Sequence, residues 1–146
     1  MDAVSWSLQD LAKKIADIDF TMLTTRTDGG ALSARPMSNN GDVEYDGDSW
    51  FFSDDSSRGV ADIEKDPNVG LTLQGKSGLL GKPPIFIGIE GKAELIRDIA
   101  LFVRHWNKDM ERWWPEGPTT PGILLIKVHA SRIHYWDGED QGEVKV

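Results

Sequence analysis

Two clusters of polar and cationic residues have types and spacing suited to binding a phosphate group. The first is centred on Arg35, and the second contains Ser53, Ser57 and Arg58 after the aromatic stretch at residues 50–52. An arginine brings charge and paired hydrogen bonds, hydroxyls are short donors, and the first turn of a helix offers backbone amides at the positive end of its dipole. The same residues also fit a structural interpretation, in which Ser57 only caps a helix and Arg58 is solvated.

Tryptophan is unusually frequent, with six in 146 residues. Trp136 ends the last strand that the pattern predicts, and a large planar side chain there is suited to form one wall of a slot for a planar ligand. Trp106 and Trp113 share one helical stripe and are expected in the core.

Motifs for several other chemistries are absent from the sequence. There is no Gly-x-Ser-x-Gly nucleophile turn, and residues 75–78 lack the glycine spacing of a nucleotide-binding P-loop. The absence of cysteine excludes disulfides, thiolate catalysis and cysteine-ligated metal sites. His129 and His134 are interpreted as surface or packing residues, with a shared metal ion as the alternative.

The charge balance argues against a nucleic acid as partner. Sixteen Lys and Arg against 24 Asp and Glu give a net charge of −8, which repels a phosphate backbone. The longest apolar run, residues 122–126, is too short to span a bilayer, so no membrane association is expected. The first nine residues lack a secretory pattern, which predicts a cytoplasmic protein with one domain over residues 1–146.

Hydrophobic periodicity and turn signals predict an α+β fold in which about six antiparallel strands form a closed or nearly closed small barrel. One helix is expected after Ser7, with Asp10 completing the cap, and another over residues 57–66. Strands are expected on both sides of the turn at residues 28–30. A second hairpin, turning at residues 46–48, is expected to join strands near residues 43–45 and 49–53.

The second half of the chain gives four further expectations. Residues 75–84, rich in glycine and proline, predict a mobile loop with two lysines. The longest helix is expected over residues 98–114. Two last strands are expected at residues 122–129 and 132–136, and the polar tail after them is expected to be frayed.

Three motifs, in this order, resemble the flavin-binding split barrel of pyridoxamine phosphate oxidase and its relatives, in particular the small bacterial general stress proteins. They are residues 32–38 (Leu-Ser-Ala-Arg-Pro-Met-Ser), residues 50–58 (Trp-Phe-Phe-Ser-Asp-Asp-Ser-Ser-Arg) followed by a helix and residues 66–71, and residues 91–94 (Gly-Lys-Ala-Glu) with residues 132–136. Each motif alone is weak, whereas their order and spacing over most of the chain are fairly specific.

The resemblance implies an antiparallel split β-barrel that binds FMN, or FAD, at the interface of a homodimer with shared flavin sites. The first motif would line the phosphate and the edge of the isoalloxazine ring, and the second would contact the flavin through backbone and hydroxyl groups and hold the phosphate. The cofactor-binding residues that it implies are Arg35, Pro36, Met37, Ser38, Phe52, Ser53, Ser57, Arg58 and the partner subunit's Trp136.

Two departures from the family pattern bear on function. Where the family has a lysine after Arg58, this chain has Gly59, so one phosphate charge is missing. Arg35 and Arg58 are expected to suffice without it, or Lys76 or Lys82 to replace it. The arginine-histidine motif that binds the vitamin substrate is also absent near the C-terminus, so oxidation of pyridoxamine phosphate is not expected.

Two functions from different classes follow from the resemblance. The first is an FMN-dependent oxidoreductase that uses a small-molecule redox partner, with no catalytic residue identified. The second is a stress protein that holds the flavin as a store or sensor without turnover, which the absent substrate motif favours. A related barrel that uses deazaflavin or heme is a third alternative.

Overall fold

The computed structural model describes residues 6–39 and 44–146. Its strands form one antiparallel sheet, and three short helices lie around it. The strands are β1 (Phe20–Arg26), β2 (Leu32–Ser38), β3 (Asp48–Asp54), β4 (Asn68–Gln74), β5 (Phe86–Ile96), β6 (Ile123–Asp137) and β7 (Asp140–Val144). The helices are α1 (Leu8–Ile15), α2 (Arg58–Lys65) and α3 (Ile99–His105).

The strand order is β2-β1-β4-β5-β6-β3, with β7 added on β6. The sheet curls so that its two ends, β2 and β3, come into contact, and in the described residues no ladder of hydrogen bonds joins them. This arrangement confirms the predicted α+β class and the antiparallel split barrel of about six strands with peripheral helices.

A row of four apolar side chains across neighbouring strands forms the centre of the core. Leu23 pairs with Leu71, Leu71 with Ile89, and Ile89 with Ile133. All four side chains are buried, and burial of such a side chain contributes about 1.5 to 3 kcal/mol. A shift of one residue in any strand would turn its apolar face outward, so this row fixes the register.

Local signals in the first half of the chain are confirmed. Ser7 and Asp10 form a reciprocal capping box at the start of α1, with hydrogen bonds of 2.9 and 3.1 Å. Ser57 caps α2, because its Oγ accepts a hydrogen bond from the amide of Val60 at 3.3 Å. Gly29 adopts a positive φ of 84° in the turn between β1 and β2, which explains the glycine there.

The predicted helix over residues 98–114 is wrong, because α3 ends at His105 and the backbone of Trp106 is extended. Asn107 then accepts a hydrogen bond from the amide of Asp109 at 2.9 Å and starts a short 3₁₀ turn. An asparagine side chain competes for backbone groups in this way and interrupts a helix. As a result Trp106 is partly buried, whereas Trp113 is 55% exposed and not in the core as predicted.

The predicted pairing of residues 43–45 with 49–53 is also wrong. Residue 43 lies outside the described residues, and Glu44 and Tyr45 are not in a strand. Gly47 does form the turn, with φ 107°, but β3 pairs with β6, for example Trp50 with Lys127. The long apolar run of β6 is buried on both faces and offers β3 a larger apolar partner than any local segment.

The C-terminal part of the chain differs from the prediction in two ways. The two expected strands are one continuous β6, whose pairing with β5 shifts register between Glu90 and Gly91. The expected frayed tail is β7, which pairs with β6 and buries Val144. Residues 75–84 do form a loop, as predicted, with one 3₁₀ turn at Leu79–Gly81. No helix in the described ranges has the length and apolar character needed to cross a membrane.

Candidate functional site

The predicted phosphate-binding residues lie where β2, β3 and the start of α2 meet. Ser53 is near the end of β3, and Ser57 immediately precedes α2. Their hydroxyl oxygens are 3.2 Å apart. The connecting turn is fixed by Asp54, which accepts hydrogen bonds from the amide and the hydroxyl of Ser56 at 2.8 and 2.7 Å. These two hydrogen bonds also lower the pKa of Asp54.

The first turn of α2 retains donors that an anion could use. The first amides of an α-helix have no acceptor within the helix. Ser57 satisfies that of Val60, which leaves the amides of Arg58 and Gly59. The cap therefore confirms the structural interpretation of Ser57, and it does so without using up the amides on which the phosphate interpretation depends.

Arg35 reaches this turn from β2. Its Nη1 donates a hydrogen bond to the carbonyl of Leu23 at 3.2 Å, and its Nη2 lies 3.7 Å from the Oδ2 of Asp62. Burial, with a smaller contribution from Arg58, lowers the pKa of Arg35, while Asp62 acts in the opposite direction. The guanidinium remains charged under all ordinary conditions, so the cluster keeps a cation that is partly withdrawn from water.

Arg58 is exposed and has no acidic partner among the described residues. The site therefore holds two guanidinium groups, one of them paired with Asp62, while the carboxylate of Asp54 in the connecting turn is engaged by Ser56. Because Arg58 has no acidic partner in the described residues, its guanidinium is available to an anionic ligand group.

An apolar pocket of about 380 Å³ lies beside this cluster, within the range of about 300 to 1,000 Å³ that is usual for small-molecule sites. Phe52 forms part of its wall and is held by edge-to-face contact with Trp106, with ring centroids 5.1 Å apart. The residues that line the pocket are Phe20, Pro36, Met37, Ser38, Phe52, Met110, Trp113 and Trp114. Four of the predicted site residues therefore share one cavity.

The pocket and the phosphate cluster lie at the split of the barrel. Successive residues of a strand point to opposite faces, so Phe52 and Ser53 present the pocket wall and the hydroxyl on different sides of β3. Because β2 and β3 end the described sheet path, each has an edge whose N–H and C=O groups are not used by another strand. A ligand that contacts both the pocket and the phosphate cluster would lie along these strand edges and could form hydrogen bonds with their N–H and C=O groups.

A second, polar cavity of about 210 Å³ adjoins the pocket and shares Phe20, Ser38, Met110 and Trp113 with it. It adds Asp19, Asp109 and Arg112, whose exposed side chains have no ion pair in the described part of the chain.

Trp136 lies away from this pocket in the same chain. Its ring lies over Gly88 on β5 and is tilted against His134, with centroids 5.8 Å apart. The side chain is 44% exposed. Its predicted contact with a flavin requires a second subunit and remains a prediction.

The two histidines considered as a metal pair contact different acids. His129 Nδ1 is 2.6 Å from Asp48, and His134 Nε2 is 2.8 Å from Glu143. No cluster of three or more potential ligands was found in the ranges that the structure describes. Each histidine is therefore engaged with its own carboxylate, on Asp48 or Glu143.

The sequence analysis missed several residues of the site. Trp113 and Trp114 line the pocket because the helix ends early, and Asp62 and Gly59 surround the Arg35 side chain. The break at Asn107 was the one local signal that could have indicated the exposure of Trp113.

Comparison with known proteins supports the fold. The family model for pyridoxamine 5′-phosphate oxidase like proteins matches residues 7–146. General stress protein 26 from Bacillus anthracis is 25% identical with a TM-score of 0.70, over 90% of this chain and 93% of that chain. A related protein from Clostridium acetobutylicum is 18% identical with a TM-score of 0.77, over 95% and 94% of the two chains.

A general stress FMN/FAD binding protein from Xanthomonas citri is 24% identical to the chain, with a TM-score of 0.73, over 91% of this chain and 89% of that chain. No curated protein matches the chain.

Proposed function

Because this chain belongs to the pyridoxamine 5′-phosphate oxidase-like family, we propose that it binds FMN at the split between β2 and β3. This proposal is carried by one observation: an apolar pocket of about 380 Å³ follows directly on the polar cluster along β2 and β3, since Arg35 precedes Pro36 and Ser53 follows Phe52 in the pocket wall. FMN has the matching chemistry, a planar ring joined by a flexible chain to a phosphate. The resemblance to an FMN/FAD binding stress protein supports a flavin and leaves FAD as the longer alternative.

The residues of the proposed FMN site have different roles according to their chemistry. Arg35, Arg58, the free amides of α2 and the Ser53 and Ser57 hydroxyls hold the phosphate. Pro36, Met37 and Phe52 enclose the ring and keep water from one side of it. The unpaired edges of β2 and β3 supply hydrogen bonds to the polar rim of the ring. When bound, the flavin itself supplies the transfer of hydride or single electrons.

The activity that we propose is reduction of a small-molecule acceptor during stress, with electrons from a reduced nicotinamide. The adjoining polar cavity gives an acceptor access to the ring side of the pocket. Its two acids, Asp19 and Asp109, outweigh Arg112, so a neutral or cationic acceptor is favoured over an anionic one. The general stress protein relatives support the stress role.

A flavin store or sensor without turnover is the second candidate. In the described chain, none of the residues that line the apolar pocket has a titratable side chain. A site of this kind can hold a flavin and exclude water, but it contributes no acid or base for proton transfer.

We further propose a homodimer with two shared flavin sites. The outer face of the sheet carries exposed apolar side chains, including Met22, Phe86 and Trp136, and Phe86 and Trp136 are paired across β5 and β6. Exposed apolar side chains on one face of a sheet are typical of an interface, and the partner subunit's Trp136 would then border the flavin.

Titration of the purified protein with FMN tests the binding proposal. We expect quenching of flavin fluorescence and a higher melting temperature, since a ligand at about 100 times its Kd stabilises the folded state by about 2.7 kcal/mol. The absorption spectrum of the protein as isolated is the companion measurement, with flavin bands expected. Unchanged fluorescence and melting temperature, or a Soret band, would contradict the proposal.

Turnover separates the two candidate functions. NADH or NADPH oxidation is measured with FMN and a small acceptor, with and without protein. A rate above that of free FMN supports the oxidoreductase, and a rate equal to it supports the store or sensor.

A further inference from the structure

Asp62 on α2 is a buried acid that lines neither of the two cavities at the site. Its residue exposure is 6%, and the fully buried Thr25 donates its hydroxyl to Asp62 Oδ2 at 2.7 Å. A buried carboxylate is retained only where hydrogen bonds and an opposite charge compensate its lost hydration. Thr25 supplies the hydrogen bond. The residue that supplies the opposite charge is therefore the one whose position Asp62 can control.

That charge is the guanidinium of Arg35. Asp62 Oδ2 lies 3.7 Å from its Nη2, and the carbonyl of Leu23 accepts a hydrogen bond from its Nη1 at 3.2 Å. The two contacts engage the two terminal nitrogens, so the planar group has little freedom to rotate. Further N–H groups of the guanidinium are left for a ligand.

Gly59 determines where this plane lies. A methyl group at Gly59 would be 3.4, 3.5 and 3.6 Å from Cζ, Nε and Nη1 of Arg35. Three guanidinium atoms at nearly equal distances mean that the group lies flat over the first turn of α2. It therefore lies next to the helix amides that the Ser57 cap leaves open.

We propose that Asp62 is a positioning residue, which fixes Arg35 over the first turn of α2 and so gives the site its preference for a phosphorylated flavin over an unphosphorylated one. This inference rests on the proposed flavin site. Asp62 offsets one guanidinium charge, so it does not increase the attraction for an anion. What it contributes is a guanidinium whose conformational freedom is already restricted before the phosphate arrives, which lowers the entropy loss on binding.

The test compares the Kd of FMN with that of riboflavin, which lacks the phosphate. Asp62→Asn keeps the size of the side chain and, in the place of Oδ2, an oxygen that faces both Thr25 and Arg35, but it removes the negative charge that holds the guanidinium. We expect the affinity for FMN to fall about tenfold or more, as for loss of one well-placed charged hydrogen bond. The affinity for riboflavin should stay within about twofold, since no contact to the ring has changed.

Glu64→Gln is the matched control on the same helix. Glu64 is an exposed acid that contacts Arg97 at 3.5 Å, so the variant removes the same charge without touching Arg35. Its ratio of FMN to riboflavin affinity should equal that of the wild type. Thr25→Val, nearly the same shape, removes the hydroxyl that holds Asp62 and should lower the ratio by a smaller factor.

Riboflavin binding shows in each variant that the pocket is folded. A ratio unchanged in Asp62→Asn, or a rise in FMN affinity from the removal of a negative charge, would overturn the positioning role and leave the flavin site intact. Equal loss of both ligands would mean that Asp62 has only a structural role. A wild-type protein that binds neither flavin would refute the proposed function, and this inference with it.

Discussion

Arg35 and Arg58 differ in burial and in the contacts that their side chains make. Arg35 is partly buried and already engaged with Asp62 and Leu23. Arg58 is exposed and has no acidic partner in the described ranges. A phosphate would therefore replace water around Arg58 and would complete an existing set of contacts around Arg35.

Replacing Arg58 with alanine should weaken FMN binding by about 1.5 to 3 kcal/mol, the usual value of a hydrogen bond to a charged group. Riboflavin binding should be unchanged, because the loss concerns the phosphate alone. Fluorescence titration measures both. Arg104→Ala, which removes an exposed arginine from α3, is the control, and an equal loss of FMN affinity there would mean that only net charge matters.

His105 gives a prediction about pH. Its ring stacks on Trp50 with centroids 4.0 Å apart, and burial, with a smaller contribution from Arg104, lowers the pKa of His105. The unfolded chain therefore takes up this proton first as the pH falls. The stability that the neutral ring contributes is present above the ordinary histidine pKa of about 6.5 and decreases below it.

The variant His105→Phe keeps the stacked ring and removes the titration. Between about pH 7.5 and about pH 5.5, its melting temperature should fall less than that of the wild type. His129→Gln is the control, since His129 is an exposed histidine outside this stack, 2.6 Å from Asp48. If the melting temperature of His105→Phe falls as much as that of the wild type, the His105 ring is not the source of the acid sensitivity.

Among the elements, β7 shows how a polar segment can be part of the sheet. Its sequence, Asp-Gln-Gly-Glu-Val, has one apolar side chain, and that residue, Val144, is 3% exposed. Gly142 lies under the ring of Tyr135, where a methyl group would be only 3.0 Å from the phenol oxygen. A larger residue at this position would therefore have to displace the Tyr135 ring.

Val144→Ala should lower the free energy of unfolding by about 1.5 to 3 kcal/mol, from two lost methyl groups and the cavity that they leave. Val146→Ala, at an exposed position two residues later, should change it by less than about 0.5 kcal/mol. Urea unfolding of both variants gives the comparison. Equal effects would mean that β7 does not contribute to the folded sheet.

The elements that could be predicted are those whose signals are local. Ser7 with Asp10 fixes the start of α1, and Gly29 fixes the turn between β1 and β2. The partner of β3 could not be predicted, because β6 is distant in sequence and the choice depends on the packing of both faces. Nor could β7, since period-two alternation needs more than one apolar residue to be visible.

The same distinction holds for the site. Pro36, Met37, Ser38 and Phe52 could be predicted from their motifs, and they do share one pocket. Asp62 and Trp114 reach the site through tertiary packing that no local pattern encodes.

At the scale of the whole molecule, the exposed apolar face predicts the state of assembly. Phe86 and Trp136 are 43% and 44% exposed on the outside of the sheet. Burial of such large side chains favours association. Light scattering should therefore give a mass twice the 16.2 kDa of the chain.

Trp136→Ser should shift this equilibrium toward the monomer and weaken FMN binding at the same time, because the shared site would be incomplete. Trp113→Ser, an exposed tryptophan on the pocket rim, is the control that should affect FMN binding alone. A wild-type monomer, or a Trp136→Ser monomer that binds FMN as tightly as the wild type, would contradict the coupling of the two.

The free N–H and C=O groups of an unpaired strand edge can pair with another extended polypeptide, which is the first step of aggregation. In the described sheet β2 has β1 on one side only, and it contains Pro36, which has no N–H to offer a visiting strand. The gap between β2 and β3 would thus accommodate a flat ring, whereas an extended peptide could not form a full ladder of hydrogen bonds with β2. Substitution of Pro36 would restore an N–H to this strand edge and remove part of the pocket wall, so self-association should rise and flavin affinity should fall in the same variant.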